Sequence, residues 1–470
     1  MGWNVRKGHW VSAALIAKFA VSCYIPVEKT RCRAETYIAN LRNPLADPHR
    51  MYEFRCPVHG FIQLNDWEKD IVSQPAFQRL RRVRQLAWTD YVYPGAMHTR
   101  FEHSLGVMHI ATLLYDSVVQ RSKSVLEEEL AYNESGFTRD RQLVRLAALL
   151  HDVGHGPFSH GAEELMPERG DGTRYQHEQY SAAIVRECLK DAIETHPLND
   201  NCGFEANDVA ALLEGSSSAK RAVFWRELID GQMDADRMDY LLRDSLHAGV
   251  QYGRFDLHRL VNTIVAISGT DGKSPRLGVT EGGWHAAEGL VIARYFMFTQ
   301  VYFHKTRVAF DVHLQGALRE LLPTGVFPKP VDGGLAEYTS WDDWKVLGVL
   351  ASGEGGEHGV RLATRDHYRE IYHTPESPTA EDLSRLEEVK KGLGDLVVAE
   401  VPAEKSWYKT GKADIPIVSR TMANRVEPLS KYSSVVASIK PVRKRLLYVR
   451  PEAFEDAKGK RNKIVGANDD

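Results

Sequence analysis

The sequence predicts a mainly α-helical protein with a smaller mixed α/β lobe at its C-terminal end. Apolar residues recur at helical spacing through most of 47–325, whereas short β-like runs appear only further on. Between the two lies a stretch rich in Pro and Gly (Pro328, Pro330, Gly333, Gly334, Gly353, Gly355, Gly356), which marks a boundary or a surface excursion.

Taken in order, residues 1–46 carry seven Lys/Arg against two acids and read as an N-terminal extension of unclear role. Trp10 to Val27 is apolar, but Lys18 interrupts it and no convincing cleavage site follows, so a docked or interfacial helix is expected rather than a signal peptide. A core unit is expected over 47–325, with helical patterns in Phe77 to Leu86, Leu105 to Val119, Leu143 to Leu150 and Met238 to Leu246. Its longest helix is expected over Trp284 to Leu322, stopped by Pro323. The lobe is placed at 326–470, with strands in Leu396 to Val401, Ile415 to Val418 and Leu446 to Val449. The basic stretches Lys440 to Arg445 and Lys458 to Lys463 read as solvated faces.

Composition excludes several classes. With 43% apolar and 26% charged residues the chain can bury a sizeable core. Sixty Lys+Arg against 63 Asp+Glu give no global field to recruit nucleic acid or membrane, so polyanion contact would need a local patch. No apolar run reaches the roughly 18–20 residues of a membrane span. The five cysteines (Cys23, Cys32, Cys56, Cys188, Cys202) lack zinc or redox spacing and are expected as reduced thiols in a cytoplasmic protein.

The informative chemistry is histidine. Seven of the 19 (His98, His103, His109, His151, His155, His160, His177) fall within 80 residues. His103, the pair His151-Asp152 and Asp236 come from three separate apolar segments, and two imidazoles with two carboxylates suit a divalent metal with open positions. The helix ending at Leu150 delivers His151 and Asp152 at its mouth, where Gly154, Gly156 and Pro157 stop it. Each residue alone has a plainer reading: His103 as a core or capping histidine, Asp236 as a first-turn acid facing the helix dipole. His160 and Glu163, three apart, sit side by side on a helix, so the carboxylate can orient the imidazole.

The chain resembles the HD-domain phosphohydrolase superfamily, and within it the deoxynucleoside triphosphate triphosphohydrolases, both the vertebrate sterile-alpha-motif/HD-domain dNTPase and the bacterial dGTPase-like enzymes. The resemblance runs in order through Pro57-Val-His-Gly-Phe-Ile-Gln-Leu, Phe77-Gln-Arg-Leu-Arg, Tyr93-Pro-Gly-Ala, Arg100-Phe-Glu-His-Ser-Leu-Gly, Leu150-His-Asp-Val-Gly-His-Gly-Pro-Phe-Ser-His160, His177-Glu-Gln, Asp234 to Asp244 and Tyr302-Phe-His-Lys305. It covers about residues 50 to 310, and such a series is more specific than any one motif.

The resemblance implies a helical HD-domain core and hydrolysis of dNTP to deoxynucleoside and tripolyphosphate, a reaction that would deplete nucleotide pools in homeostasis or in antiviral or antiphage defence. It makes His103, His151, Asp152 and Asp236 the metal ligands, a set suited to Mn, Fe or Zn, with Mg on the triphosphate. It makes His160 the general acid, with Glu163 where relatives have the shorter Asp, and assigns His155 and His177 to phosphate or metal-bound water. Arg100, Arg237 and Arg294 match phosphate-binding positions, Arg237 replacing a lysine with a rigid fork. Gln85 and Asp244 match residues on the sugar 3'-hydroxyl, and Leu86, Tyr240 and Tyr302 match residues packed close to the sugar, where a 2'-hydroxyl would not fit.

The resemblance also implies a homo-oligomer, dimer or tetramer, with a nucleotide activator at a subunit interface. Gln78 and Arg81 fit that site. Ser73, however, stands where relatives have an acidic guanine-reading residue, and Tyr52, Arg55 and Phe61 replace Lys, Asn and His, so strict GTP activation is not expected. The residues before 47 are too few for a sterile alpha motif. The competing reading is an HD-type nuclease or phosphodiesterase, which uses the same metal but needs a basic groove with stacking aromatics. A non-catalytic nucleotide sensor is disfavoured because the ligands and the acid are all present. Nucleic acid is a permitted partner, not a required one.

Overall fold

A β-hairpin opens the fold in the structure, a computed structural model that describes residues 50–269, 275–405, 414–419 and 425–466. The chain divides into Met1–Arg50 and Met51–Asp470, and every element below belongs to the second unit. The expected N-terminal helix and the thiols Cys23 and Cys32 lie outside the described residues. Cys56, Cys188 and Cys202 are free thiols.

In the hairpin, β1 (Tyr52–Cys56) pairs antiparallel with β2 (Gly60–Leu64). Helix α1 (Asp66–Val72) follows, closed by a capping box between Asn65 and Glu68. The stretch Phe77 to Leu86 departs from the expected helix. Pro75–Gln78 forms one α-helical turn, α2, and Arg79–Arg82 a 3₁₀ turn, after which Arg84 bridges to Thr99 in extended form. The cause is Arg79, a fully buried cation whose guanidinium donates to the carbonyls of His155 and Trp341 and draws the chain out of helical register.

Four helices surround the histidines. Helix α3 (Arg100–Leu130) starts where Thr99 N–H donates to Glu102 Oε1 at 3.1 Å. Helix α4 (Glu134–Leu150) is capped by the Asn133 side chain and packs along α3. Helix α5 (His177–Glu187) brings the next histidine, and α6 (Ala235–Ala248) starts at Asp234, whose carboxylate accepts Arg237 N–H at 2.7 Å, and stops at Gly249 in the left-handed region. α6 lies tightly against α3: a Cβ at Gly106 would meet Asp239 Oδ1 at 1.9 Å.

The expected long helix Trp284 to Leu322 is two helices. α7 (Trp284–Met297) passes into a π turn, Phe298–Tyr302, and α8 (Lys305–Leu321) restarts where His304 Nδ1 accepts Thr306 N–H. No Gly or Pro marks the break; the wider turn goes with the Tyr302 hydroxyl's bond to Asp244 on α6.

The later chain contributes strands to two sheets. β3 (Ile264–Ile267), β4 (Arg276–Thr280), β7 (Pro416–Val418) and β8 (Val426–Pro428) form one sheet in that order, with β4–β7 the parallel pair. β5 (Arg369–His373), β9 (Val442–Val449) and β6 (Val397–Lys405) form a separate antiparallel sheet with β9 central. Alternation along β9 sends Leu447 and Val449 into one apolar cluster with Leu386 and Val389, and Leu446 and Tyr448 into another with Val308 and Ala309 of α8. The fold is therefore mainly helical with small sheets in its C-terminal region. Among the described residues no helix is long and apolar enough to cross a membrane.

Candidate active site

His103 stands on the first turn of α3, His151 and Asp152 at the end of α4, and Asp236 in the first turn of α6. His103 Nε2 lies 3.0 Å from Asp236 Oδ1 and 3.4 Å from Asp152 Oδ2. His151 Nε2 lies 3.3 Å from Asp152 Oδ1 and 3.6 Å from Asp236 Oδ1.

Both imidazoles are held in the tautomer a metal needs. His151 Nδ1–H donates to Ala148 O at 2.8 Å, which leaves Nε2 buried without a hydrogen-bond partner among the described residues. His103 Nδ1–H donates to Asp239 Oδ2 at 2.8 Å. Burial opposes charge on His103, but Asp236 and Asp239 outweigh it and push its pKa up to about 10. Burial is likewise overcome at Asp152, chiefly by Arg100 and His151, and at Asp236 by His103 and His151, so both carboxyls are held low. The free His151 Nε2, two ionised carboxylates and a His103 Nε2 freed when the cation displaces its proton fit a divalent ion.

Asp239 is itself locked. Arg243 grips it with Nε at 2.8 Å and Nη2 at 2.9 Å, and His59 Nε2 donates to its Oδ1 at 2.6 Å. Sequence reasoning assigned neither Asp239 nor Arg243, although their i,i+4 spacing on α6 was a usable signal. His59, 180 residues away on the hairpin turn, gave none.

A second group faces the first. Glu163 accepts from His160 Nδ1 and from His177 Nδ1, each at 2.8 Å, one imidazole per oxygen. His160 and Glu163 sit in a 3₁₀ turn, Ser159–Leu165, where residues three apart eclipse. His177 stacks on His155 with ring centres 3.8 Å apart, and His155 Nε2 lies 3.3 Å from Asp152 Oδ1, linking the two groups. Burial raises Glu163, but His160 and His177 outweigh it and hold the carboxyl well below its usual range. Against burial, Glu163 pushes His177 up to about 9, while burial, reinforced by Arg100 and His177, holds His155 far down. A fixed neutral imidazole thus lies on a fixed cationic one.

Both groups open on one cavity of about 540 Å³, which Gln85, Leu86, Arg100, Arg237, Tyr240, Asp244, Arg294 and Tyr302 also line. Arg100 Nη1 donates to Asp152 Oδ2 at 2.5 Å, and Arg237 pairs with Asp234 at 3.3 Å. Tyr302 donates its hydroxyl to Asp244 Oδ2 at 2.6 Å, and His98 Nε2 donates to Oδ1 at 2.8 Å. Burial and Asp244 hold the Tyr302 hydroxyl well above its usual pKa, so it stays a donor. Its ring stands across from Tyr240, centres 6.2 Å apart. Arg294 and Tyr302 share the cavity although the π turn breaks the eight-residue helical spacing expected between them. Arg307 and Glu404 also line the wall, with no signal in the sequence. Tyr52, Arg55, Phe61, Ser73, Gln78 and Arg81 do not line it; Arg81 lies over the Phe101 ring at 3.5 Å.

Family comparison agrees with this geometry. The HD domain model matches residues 100–244 and the HD associated region model residues 255–402. The uncharacterized protein YwfO of Bacillus subtilis is 30% identical over 417 residues, 82% of this chain and 88% of that protein. The deoxynucleoside triphosphate triphosphohydrolase SAMHD1 homolog of Dictyostelium discoideum is 33% identical over 195 residues, and the match spans only 35% of its length. The crystal structure of a hypothetical protein from Aquifex aeolicus superposes with a TM-score of 0.71 at 29% identity, over 87% of this chain and all of that one. With two His and two Asp side chains from three helices gathered at one point and both regions present in order, the chain belongs to the HD-domain family of metal-dependent phosphohydrolases.

Proposed function

We propose that the protein hydrolyses dNTPs to deoxynucleoside and tripolyphosphate. The observation that carries this reading is that Tyr302, bonded to Asp244 and facing Tyr240, shares one cavity with the clustered His and Asp side chains and three arginines. In this reading the sugar packs against these rings, which would exclude a 2'-hydroxyl, while Asp244 and Gln85 offer acceptors to a 3'-hydroxyl. Arg100, Arg237 and Arg294 supply fixed cations for a triphosphate.

A divalent ion held by His103, His151, Asp152 and Asp236 would polarise the α-phosphoryl oxygen and lower the pKa of a bound water. The rest falls to side chains. Water adds its oxygen to the α-phosphorus and gives up a proton to solvent as the bond from phosphorus to the sugar 5'-oxygen breaks, and the 5'-oxygen takes a proton from His160 Nε2. Glu163 fixes the other ring nitrogen, and His160, at the cavity rim with its side chain 58% exposed, regains its proton from solvent. His155 and His177 hold phosphate oxygens. The ligand set favours Mn, Fe or Zn, with Mg accompanying the triphosphate.

We place the reaction in residues 47–325, braced by the lobe at 326–470 and preceded by an extension at 1–46, in a cytoplasmic homo-oligomer that does not depend strictly on GTP. Chromatography of reactions with each dNTP and NTP, singly and mixed, tests the reading. Deoxynucleoside and tripolyphosphate from dNTPs alone are expected, and Tyr302→Ala should raise the share of ribonucleotide turned over. Cleavage of single-stranded nucleic acid or cyclic nucleotides without dNTP turnover would instead favour a phosphodiesterase.

A further inference from the structure

The turn that carries His160 is held in an unfavourable backbone shape. Phe158 and Ser159 have φ of 56° and 52°, two successive residues in the left-handed region that side chains with a Cβ rarely enter. Such a conformation persists only where the surroundings impose it. The buried Phe158 ring is stacked on Trp88 at 4.7 Å, and the Ser159 hydroxyl donates to Arg84 O at 2.6 Å.

The other ties come from one stretch of the HD-associated region. Tyr338 donates its hydroxyl to Gly154 O at 2.6 Å, and Arg79 bridges His155 O and Trp341 O. Asp343, at the start of helix α9 (Asp343–Ala351), accepts Phe158 N–H on Oδ1 at 2.7 Å and Arg84 N–H on Oδ2 at 2.8 Å. Capping does not explain it, because Asp342 is the cap, accepting Lys345 N–H at 3.0 Å. Packing does not explain it either, because an apolar side chain would fill the space without burying a carboxyl.

We propose that Asp343 is a positioning residue for the reaction: by accepting the Phe158 and Arg84 N–H groups together, it holds the left-handed turn that presents His160 to the leaving oxygen. The inference rests on His160 being the general acid. Burial pushes the Asp343 carboxyl up to about 7, and the Phe158 and Arg84 N–H groups oppose that shift by favouring the ionised form that accepts both.

The test is Asp343→Asn, which keeps one acceptor and turns an NH₂ toward the second N–H. Two substrates are compared: a dNTP, and the same dNTP with sulfur in place of the bridging 5'-oxygen, whose 5'-thiolate leaves without a proton. On the dNTP, kcat should fall about tenfold or more with KM nearly unchanged, as for a weakened general acid. On the 5'-thio analogue the loss should be small. Metal content should stay at the wild-type level, and the His160 ring ¹⁵N resonances should move. Equal losses on both substrates, or unmoved His160 resonances, would overturn the proposal. If Asp343→Asn does not fold, Tyr338→Phe removes the tie to Gly154 O in the same stretch and should give the same pattern. Wild-type protein inactive on every dNTP would count against the proposed function, whereas the His160 resonances still decide the brace.

Discussion

At the scale of single residues, Asp239 and Glu163 each set the state of an imidazole. Asp239 fixes the His103 tautomer while Arg243 and His59 hold it, so Asp239→Asn should weaken metal binding about 10- to 100-fold, as loss of such a partner does elsewhere. Metal titration of the purified variant checks this, and unchanged affinity would remove Asp239 from the account. Glu163→Gln should return His177 from about 9 toward its ordinary 6.5, read by NMR titration. The signs for stability follow from linkage. The His177 pKa is raised on folding, so its contribution is full below 6.5 and is lost as pH rises through about 9. The Glu163 pKa is depressed, so its contribution is present above 4.5 and lost as pH falls through the folded value. On the order of 3 kcal/mol is at stake for His177, whose side chain is 16% exposed. The Tm advantage of wild type over Glu163→Gln should therefore be widest near neutral pH and shrink toward both extremes.

Among the elements, the crossing of α3 and α6 decides whether the site assembles. A Cβ at Gly106 would lie 1.9 Å from Asp239 Oδ1 and 2.5 Å from Arg243 Nη2, so Gly106→Ala must push the helices apart or eject the pair. We expect a loss of about 1–3 kcal/mol or more in stability, together with lowered metal content. Calorimetry and metal analysis check it, and normal metal content with normal Tm would contradict the close packing. Helices whose apolar period ran unbroken were legible in the sequence: α3, α4 and α6 contain the expected segments. Legibility failed where a tertiary bond overrides local preference. The buried Arg79 breaks the expected helix after Gln78, and the π turn places Tyr302 on Asp244 with no punctuating Gly or Pro to announce it.

For the whole molecule, the sequence made the chemistry legible and left its supports hidden. His103, His151, Asp152 and Asp236 were recognisable because ligand types are rare and ordered, and the structure brings them to one point. Asp239 was visible only as another acid on α6, and Asp343 not at all, since its partners Arg84 and Phe158 lie 259 and 185 residues away. Contacts of that range leave no periodic trace. The turn before His160 and the HD-associated region are thus tied together, residues 338–343 bonding to the backbone of residues 154–158 directly or through Arg79. The proposed reaction is attack at the α-phosphorus with departure of the sugar oxygen. Its most direct test is hydrolysis of a dNTP in H₂¹⁸O, followed by mass spectrometry of the products. One ¹⁸O in the tripolyphosphate and none in the deoxynucleoside is the expected result. Label in a mononucleotide or in inorganic phosphate, or no turnover of the metal-loaded protein on any dNTP, would contradict it.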